Sequence, residues 1–318
     1  MTVPRVGIVI PTLQAGRCLE NLLPALRSQS MPPCSIVVID SSSIDDTVAL
    51  ARTAGAIVEV IPRTDFDHGA TRNRGAVLAG DVDILVFMAQ DALPVNDGFL
   101  AQLVRPLVEG TAAAAFARQV PYAQASPPEI FARTYNYPGT PRRRTARDIP
   151  RLGVRALFFS DVASAVTRRA FDAAGRFPER TIMNEDMILC SRLLAHGEAV
   201  VYQAEAQVYH SHDYTLAQQF RRAFDIGVFF RDQAAELAGV RAEGEGLRFA
   251  VRQFGWLLRR GHVFWAMRSI VENGARFFAF KLGHRHHWLP LALKRRLGMH
   301  KRHWEMKVAR ISSVDSSA

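Results

Sequence analysis

Up to about His212, unbroken aliphatic runs alternate with longer amphipathic stretches, and this pattern predicts an α/β fold. Val6 to Ile10, Ser35 to Ile39, Ile57 to Ile61 and Ile84 to Met88 read as strands, because continuous Val, Ile and Leu suits strands covered on both faces. Leu19 to Gln29 reads as the crossover helix of a βαβ unit, and Ser43 and Asp45 stand where they could cap a helix running from Thr47 to Ala54. The passage from Pro121 to Arg151, with Pro127-Pro128 and Arg142-Arg143-Arg144, breaks the alternation and predicts a long loop or lid. Beyond Tyr214 the period becomes helical. Leu247, Ala250, Val251, Phe254, Leu257 and Leu258 share one face, and Val263, Met267, Ile270, Val271, Gly274, Phe277 and Phe278 share another.

A chain of 318 residues, 48% of them hydrophobic, can bury a core and hold one large domain or two. Met1 to Arg5 runs straight into a core strand, and no apolar run reaches the roughly eighteen residues of a membrane span, so a cytoplasmic location is expected. Cys18, Cys34 and Cys190 are odd in number and lack metal-type spacing, which argues against disulfides and zinc. The net charge of +10 calls for an anionic partner. From Arg248 onward, basic clusters alternate with Phe254, Trp256, Trp265, Phe277, Phe278, Trp288 and Trp304, a mixture better suited to lipid headgroups than to DNA. Charge alone suggests nucleic acid, and no docking motif supports it.

Ligands of parallel sheets bind beyond the carboxyl ends of the strands. Asp40 ends the second strand and Asp91 follows the fourth, so two carboxylates face one crevice. Between them, Asp67-His68-Gly69-Ala70-Thr71-Arg72-Asn73-Arg74-Gly75 reads as a turn feeding a helix, in which Arg72 and Arg74 could meet phosphate or base oxygens, Asp65 and Asp67 being the plain alternative partners of Arg72.

The ordered set Pro11-Thr12, Asp40-Ser41-Ser42-Ser43-Ile44-Asp45, Arg72-Asn73-Arg74-Gly75, Ala89-Gln90-Asp91 and Glu185-Asp186 resembles the glycosyltransferase family 2 pattern over roughly residues 5 to 230. The resemblance implies a GT-A nucleotide-diphospho-sugar transferase fold, a Rossmann-like, mostly parallel sheet flanked by helices. It would comprise a catalytic domain over 1–215, with a donor half to about 120 and an acceptor half beyond, and a basic helical C-terminal extension over 216–318. It also implies donor contacts from Pro11, Thr12, Asp40, Ser42, Arg72, Gln90 and Asp91. Two departures stand out: the family's Asp-x-Asp is here Ala89-Gln90-Asp91, and Ser41 replaces a second acidic residue. Both resemble the bacterial rhamnosyltransferase branch of the family, as do Tyr209-His210-Ser211-His212-Asp213-Tyr214 and Leu297-Gly298-Met299-His300. That branch uses dTDP-L-rhamnose and builds cell-surface polysaccharides, O-antigen among them, on polyprenyl-linked or polysaccharide acceptors.

Transfer from a nucleotide diphosphate needs its developing charge neutralised, commonly by Mg2+ or Mn2+. Asp91 would hold that ion with His210 or His212, and imidazole favours Mn2+. Asn184-Glu185-Asp186 opens a helix. Asp186 is the expected general base, with Glu185 orienting it or binding acceptor, and Phe158-Phe159-Ser160-Asp161 resembles a family segment lining the donor and acceptor sites, which implies acceptor contact from Asp161. Direct displacement inverts the anomeric centre. Arg221 and Arg222 could clamp phosphate or face solvent. The C-terminal helices are expected to rest on the inner, anionic face of the cytoplasmic membrane, and the same segment could mediate homo-oligomer formation. A UDP-hexose or UDP-N-acetylhexosamine donor would use the same scaffold, and the reduced Asp-x-Asp would also suit a non-catalytic nucleotide-sugar-binding partner.

Overall fold

The computed structural model describes residues 4–241 and 244–305. Met1 to Val3, expected to lead into the first strand, and 306–318, the end of the expected helical extension, lie outside the described residues. The chain divides into two compact units. One comprises Met1–Ala125, Ala132–Glu179 and Glu185–Ser211; the other comprises Ser126–Phe131, Arg180–Asn184 and His212–Ala318.

The first unit is built on one mixed sheet of β1 (Val6–Thr12), β2 (Ser35–Asp40), β3 (Ile57–Val60), β4 (Ile84–Met88), β5 (Leu93–Pro94), β6 (Ala114–Val120), β7 (Arg142–Arg144), β8 (Ala163–Thr167) and β9 (Val200–Tyr209). The strand order is β3-β2-β1-β4-β8-β6-β9-β5, with β7 paired to β9. β3, β2, β1 and β4 run parallel; the continuous aliphatic sequences of β1, β2 and β4 suit strands covered on both faces, while β3, at the sheet edge, keeps Ile57 and Val60 exposed. β8 lies antiparallel between β4 and β6. On one face Leu19, Leu22, Leu23 and Leu26 of the helix Gly16–Arg27 join Ile8, Ile10, Val38 and Val86 in the core, with Leu100, Leu103 and Val104 of the helix Phe99–Val108. On the other, Phe87 meets Phe171 and Phe177 at ring-centroid separations of 5.4 and 4.8 Å.

Register sets the functional edge. Thr12 of β1 pairs with Asp40 of β2, so both end at one level. Leu93 of β5 pairs antiparallel with Tyr209 of β9, which brings the segment before β5 and the residue after β9 together.

The expected Arg-Asn-x-Gly turn lies inside a helix, His68–Leu78, whose N-cap Asp67 accepts the Ala70 N–H at 2.8 Å. Gly75 lets that helix approach β1, since a Cβ there would come within 2.3 Å of Val9 Cγ1. Pro121 to Arg151 is not a bare loop. Pro127-Pro128 opens a helix, Pro127–Asn136, in whose first turn missing N–H groups cost little, and Arg142-Arg143-Arg144 forms β7. Asp46, not Ser43, is the N-cap of the helix Thr47–Thr53, while Asp45 accepts the Gly16 and Thr47 N–H groups.

The second unit carries the helices Leu216–Asp232, Glu245–Arg259, Val263–His284 and Leu291–Leu297. Leu216–Asp232 and Val263–His284 cross with backbones nearly touching: a Cβ on Gly227 would lie 2.2 Å from the Phe280 carbonyl oxygen, and one on Gly283 would lie 2.0 Å from that of Phe224. The predicted apolar faces are largely left open. Leu257 is buried, but Leu247 and Val251 are exposed, and so are Val263, Met267, Ile270, Val271, Phe277 and Phe278. No helix among the described residues is long and apolar enough to cross a membrane.

Candidate active site

At the end of β2, Asp40 is fully buried and organises the loop that follows. Thr12 donates its hydroxyl to Oδ1 at 3.0 Å, the Ser43 hydroxyl donates to the same oxygen at 2.6 Å, and the Ser43 N–H donates to Oδ2 at 2.7 Å. Ser42 is held at φ 58°, in the left-handed region that non-glycine residues rarely adopt, and its hydroxyl donates to the Ile61 carbonyl at 2.8 Å. Gln90 clasps the backbone after β1: its Oε1 accepts the Leu13 N–H at 2.8 Å and its Nε2 donates to the Leu13 carbonyl at 3.1 Å. Thr12, Asp40, Ser42 and Gln90 thus shape the strand-end loops, and Pro11 lies in β1 beside Ile39.

The pairing of β5 with β9 delivers Asp91 to His210, whose Nε2 lies 3.5 Å from Asp91 Oδ1. The imidazole's other nitrogen, Nδ1, is 2.9 Å from Gln119 Oε1 on β6. Arg133 also donates to that oxygen, and guanidinium has no acceptor, so the Gln119 atom there is the carbonyl and His210 Nδ1 must carry the proton. The Gln119 amide nitrogen donates to Tyr137 Oη at 2.6 Å and to Ser160 Oγ at 2.9 Å, which locks the amide plane. His210 Nε2 therefore turns a lone pair toward the Asp91 carboxylate unless positive charge, a proton or a metal ion, lies between them. Burial first, and then the Asp91 charge, holds both the Cys18 thiol and the Tyr122 phenol above their ordinary pKa. His212 follows two residues later, and its backbone N–H donates to Glu129 at 3.1 Å.

Gln119 was not singled out from sequence, and an isolated Gln inside a strand carries no local signal. Replacing it with Leu removes the acceptor that fixes the imidazole. Groups that orient a metal-ligating imidazole typically change metal affinity about 10–100-fold, and Gln119→Leu is expected to weaken binding of a cation held by His210 by a factor in that range. Titrating Mn2+ against turnover of the wild type and variant checks this.

A second cluster gathers on Arg72. Its Nη1 donates to Glu185 Oε1 at 2.9 Å, and its Nη2 lies 2.8 Å from Asp161 Oδ2, with all three side chains buried. Arg72, expected among the donor contacts, has its terminal nitrogens on these carboxylates and not on Asp65 or Asp67. The rest of its motif is structural: Asn73 clasps the Phe177 backbone through both N–H and carbonyl, and Arg74 pairs with Glu59 at the surface. His68 Nδ1 stands 3.7 Å from Glu185.

Glu185 and Asp186 open the helix Glu185–Ala195, just after Asn184 at φ 58°. Asp186 accepts the Met187 N–H at 2.7 Å and the Asp161 N–H at 3.3 Å. Although part of its surface stays accessible, protein crowds it on nearly every side. Burial, together with the neighbouring charges of Asp161 and Glu185, holds its carboxyl well above the usual range. Asp161 is pushed up to about 6 by burial, against the attraction of Arg72 and with repulsion from Glu185. Glu185 is committed to Arg72. Asp186 combines a raised proton affinity with access to solvent, the two properties a general base needs.

Residues 4–224 match the family model described as glycosyltransferase like family 2. Over 307 residues the chain is 37% identical to the O-antigen chain rhamnosyltransferase WbaN of Salmonella anatum, covering 95% of this chain and 96% of that protein. It is 36% identical over 306 residues to the O-antigen chain rhamnosyltransferase RfbN of Salmonella typhimurium, covering 94% and 96%. Among solved structures, S. aureus TarS 1-349 superposes with a TM-score of 0.57 at 14% identity, over 92% of this chain and 77% of that one. The mannosyltransferase PcManGT from Pyrobaculum calidifontis, solved with GDP-Man and Mn2+, superposes with a TM-score of 0.57 at 16% identity, over 99% and 81%. The mixed α/β sheet with its strand-end carboxylates is a GT-A fold, and the chain belongs to glycosyltransferase family 2.

Proposed function

We propose that this glycosyltransferase moves L-rhamnose from dTDP-L-rhamnose onto a hydroxyl of a lipid-linked or polysaccharide acceptor in O-antigen synthesis, with inversion at the anomeric carbon. The observation that carries the reaction type is Asp186, a carboxylate with raised proton affinity that keeps access to solvent beside the Arg72-bound Asp161 and Glu185. The sugar rests on the two near-full-length relatives named O-antigen chain rhamnosyltransferases.

Asp186 takes the proton of the acceptor hydroxyl as its oxygen bonds to the anomeric carbon. The carbon–oxygen bond to the diphosphate breaks on the opposite face, and its electron pair leaves with dTDP. Asp161 and Glu185, oriented by Arg72, position the acceptor sugar. The loop built by Pro11, Thr12, Asp40, Ser42 and Gln90 receives the nucleoside end of the donor. Asp91, His210 and His212 are the donor set that would hold a divalent cation, with His210 Nε2 3.5 Å from Asp91 Oδ1. When bound, such an ion neutralises charge developing on the leaving diphosphate. Imidazole ligands favour Mn2+ over Mg2+, and the mannosyltransferase of like fold was solved in complex with GDP-Man and Mn2+.

We assign catalysis to 1–215 and attachment to the inner face of the cytoplasmic membrane to 216–318. The exposed stripe of Val263, Met267, Ile270, Val271, Phe277 and Phe278 among basic residues supports that attachment. The test of the transfer is the anomeric configuration of the rhamnosylated product by NMR. A linkage opposite to that of the donor is expected, and a retained configuration overturns the direct displacement.

A further inference from the structure

On the helix Val263–His284 the exposed Val263, Met267, Ile270, Val271, Phe277 and Phe278, with Gly274 at the intervening position, fall on one face. At about 1.5 Å per residue this stripe runs roughly 22 Å along the helix axis. One turn beyond it, Arg231, Lys281, His284, Arg285, His287 and Trp288 line a recess of about 420 Å³. No carboxylate lines this recess, and no ion pair engages Arg231, Lys281 or Arg285 among the described residues. The carboxylate nearest in sequence, Asp232, faces His286 at 2.8 Å. Lys281 and Arg285 instead stand over aromatic rings, Lys281 Nζ 5.6 Å from the Phe277 centroid and Arg285 Cζ 5.8 Å from that of Trp288. Trp288 is 73% exposed, an indole at the rim of a basic recess.

We propose that this recess is a lipid-phosphate site, taking the phosphomonoester headgroup of an anionic lipid while the adjoining stripe lies in the acyl boundary. The inference rests on the membrane attachment proposed above and adds a specific headgroup to it. Three fixed cations converge from two helices onto one cavity, a charge matched to a dianion better than to the single charge of a phosphodiester. Burial first, and then the charges of Arg231, Lys281 and Arg285, depresses the His284 pKa. The ring of Trp288 suits the headgroup depth of a bilayer, and Phe277 and Phe278, at 65% and 62% exposure, suit the layer beneath it.

The test is flotation of the full chain with phosphatidylcholine vesicles containing either phosphatidic acid or phosphatidylglycerol, matched for surface charge. The wild type is expected to prefer phosphatidic acid. Lys281→Gln with Arg285→Gln is expected to weaken binding to the phosphatidic acid vesicles about thirtyfold, at about fivefold for each cation removed near the surface. Arg259→Gln with Arg296→Gln, the same charge change on other exposed positions, is expected to keep the preference. Met267→Ser with Val271→Ser, on the stripe, is expected to weaken binding to both vesicle types. Should the Lys281 and Arg285 variant keep the wild-type preference while the stripe variant loses binding, the recess is not the site and the membrane attachment stands. Equal losses in the two basic variants replace the site with diffuse attraction, and a wild type that floats with neither vesicle overturns site and attachment together.

Discussion

Asp186→Asn is expected to lower turnover by about a thousandfold, within the 10²–10⁴ range typical of general-base help, while leaving nucleotide binding within about twofold of the wild type. Asn keeps the shape of the side chain and can still accept the Met187 N–H, so the helix start at Glu185 survives. It cannot take a proton. The same change at Glu185 acts through another route, because Glu185 holds Arg72, and Arg72 in turn holds Asp161. Glu185→Gln therefore loosens the acceptor side and is expected to raise KM for acceptor more than it lowers kcat. The pH profile separates the two. Since Asp186 must be ionised to act and its pKa is raised by burial and by Asp161 and Glu185, kcat falls as pH drops through that raised value. Glu185→Gln removes one of those like charges and should move the acidic limb to lower pH. A limb unchanged in Asp186→Asn would mean another group is the base.

Asp91→Ala has the second-largest expected effect: loss of metal-dependent donor binding, with turnover down by at least about a hundredfold, as expected when leaving-group charge goes unneutralised. His210 is the partner that makes the effect specific. With its Nδ1 proton directed to Gln119, its Nε2 faces Asp91 at 3.5 Å, so the two groups offer their atoms to one point. A chelator added to the wild type should reproduce the Asp91→Ala phenotype. If Asp91→Ala and wild type respond alike to Mn2+, the ion is held elsewhere or not at all. His212→Ala separates the two histidines, since a smaller loss there than in His210→Ala places the stronger ligand on β9's end.

Much of this arrangement is legible in the chain because the physics behind it is local. Continuous aliphatic runs mark buried parallel strands, and a carboxylate closing such a run lies at the ligand-binding edge, which places Asp40 and Asp91. Glu185-Asp186 before an apolar helical pattern likewise marks a helix start. What the pattern does not carry is long-range pairing. Arg72 lies 113 positions from Glu185, and nothing near it in sequence distinguishes that partner from Asp65 or Asp67. Gln119 is an ordinary strand residue until β6, β9 and the helix Pro127–Asn136 bring His210 and Arg133 to its two sides of one carbonyl. Pro127-Pro128 reads as a breaker in a one-dimensional pattern, although proline at a helix start is favourable. Amphipathic periodicity also cannot tell a packed face from an open one: Leu257 is buried and Leu247, ten residues earlier on the same predicted face, is 72% exposed.

Metal-assisted transfer from dTDP-L-rhamnose is best probed by thermal stabilisation of the purified protein with dTDP, UDP, GDP and their sugars, each with Mn2+, Mg2+ or chelator. A ligand at a hundredfold excess over its Kd adds about 2.7 kcal/mol to the stability of the state that binds it. Stabilisation by dTDP and dTDP-L-rhamnose, strongest with Mn2+ and lost with chelator, is the predicted result. Stabilisation by UDP or GDP nucleotides alone would contradict the rhamnose donor, and stabilisation by none of them would contradict the transferase site itself.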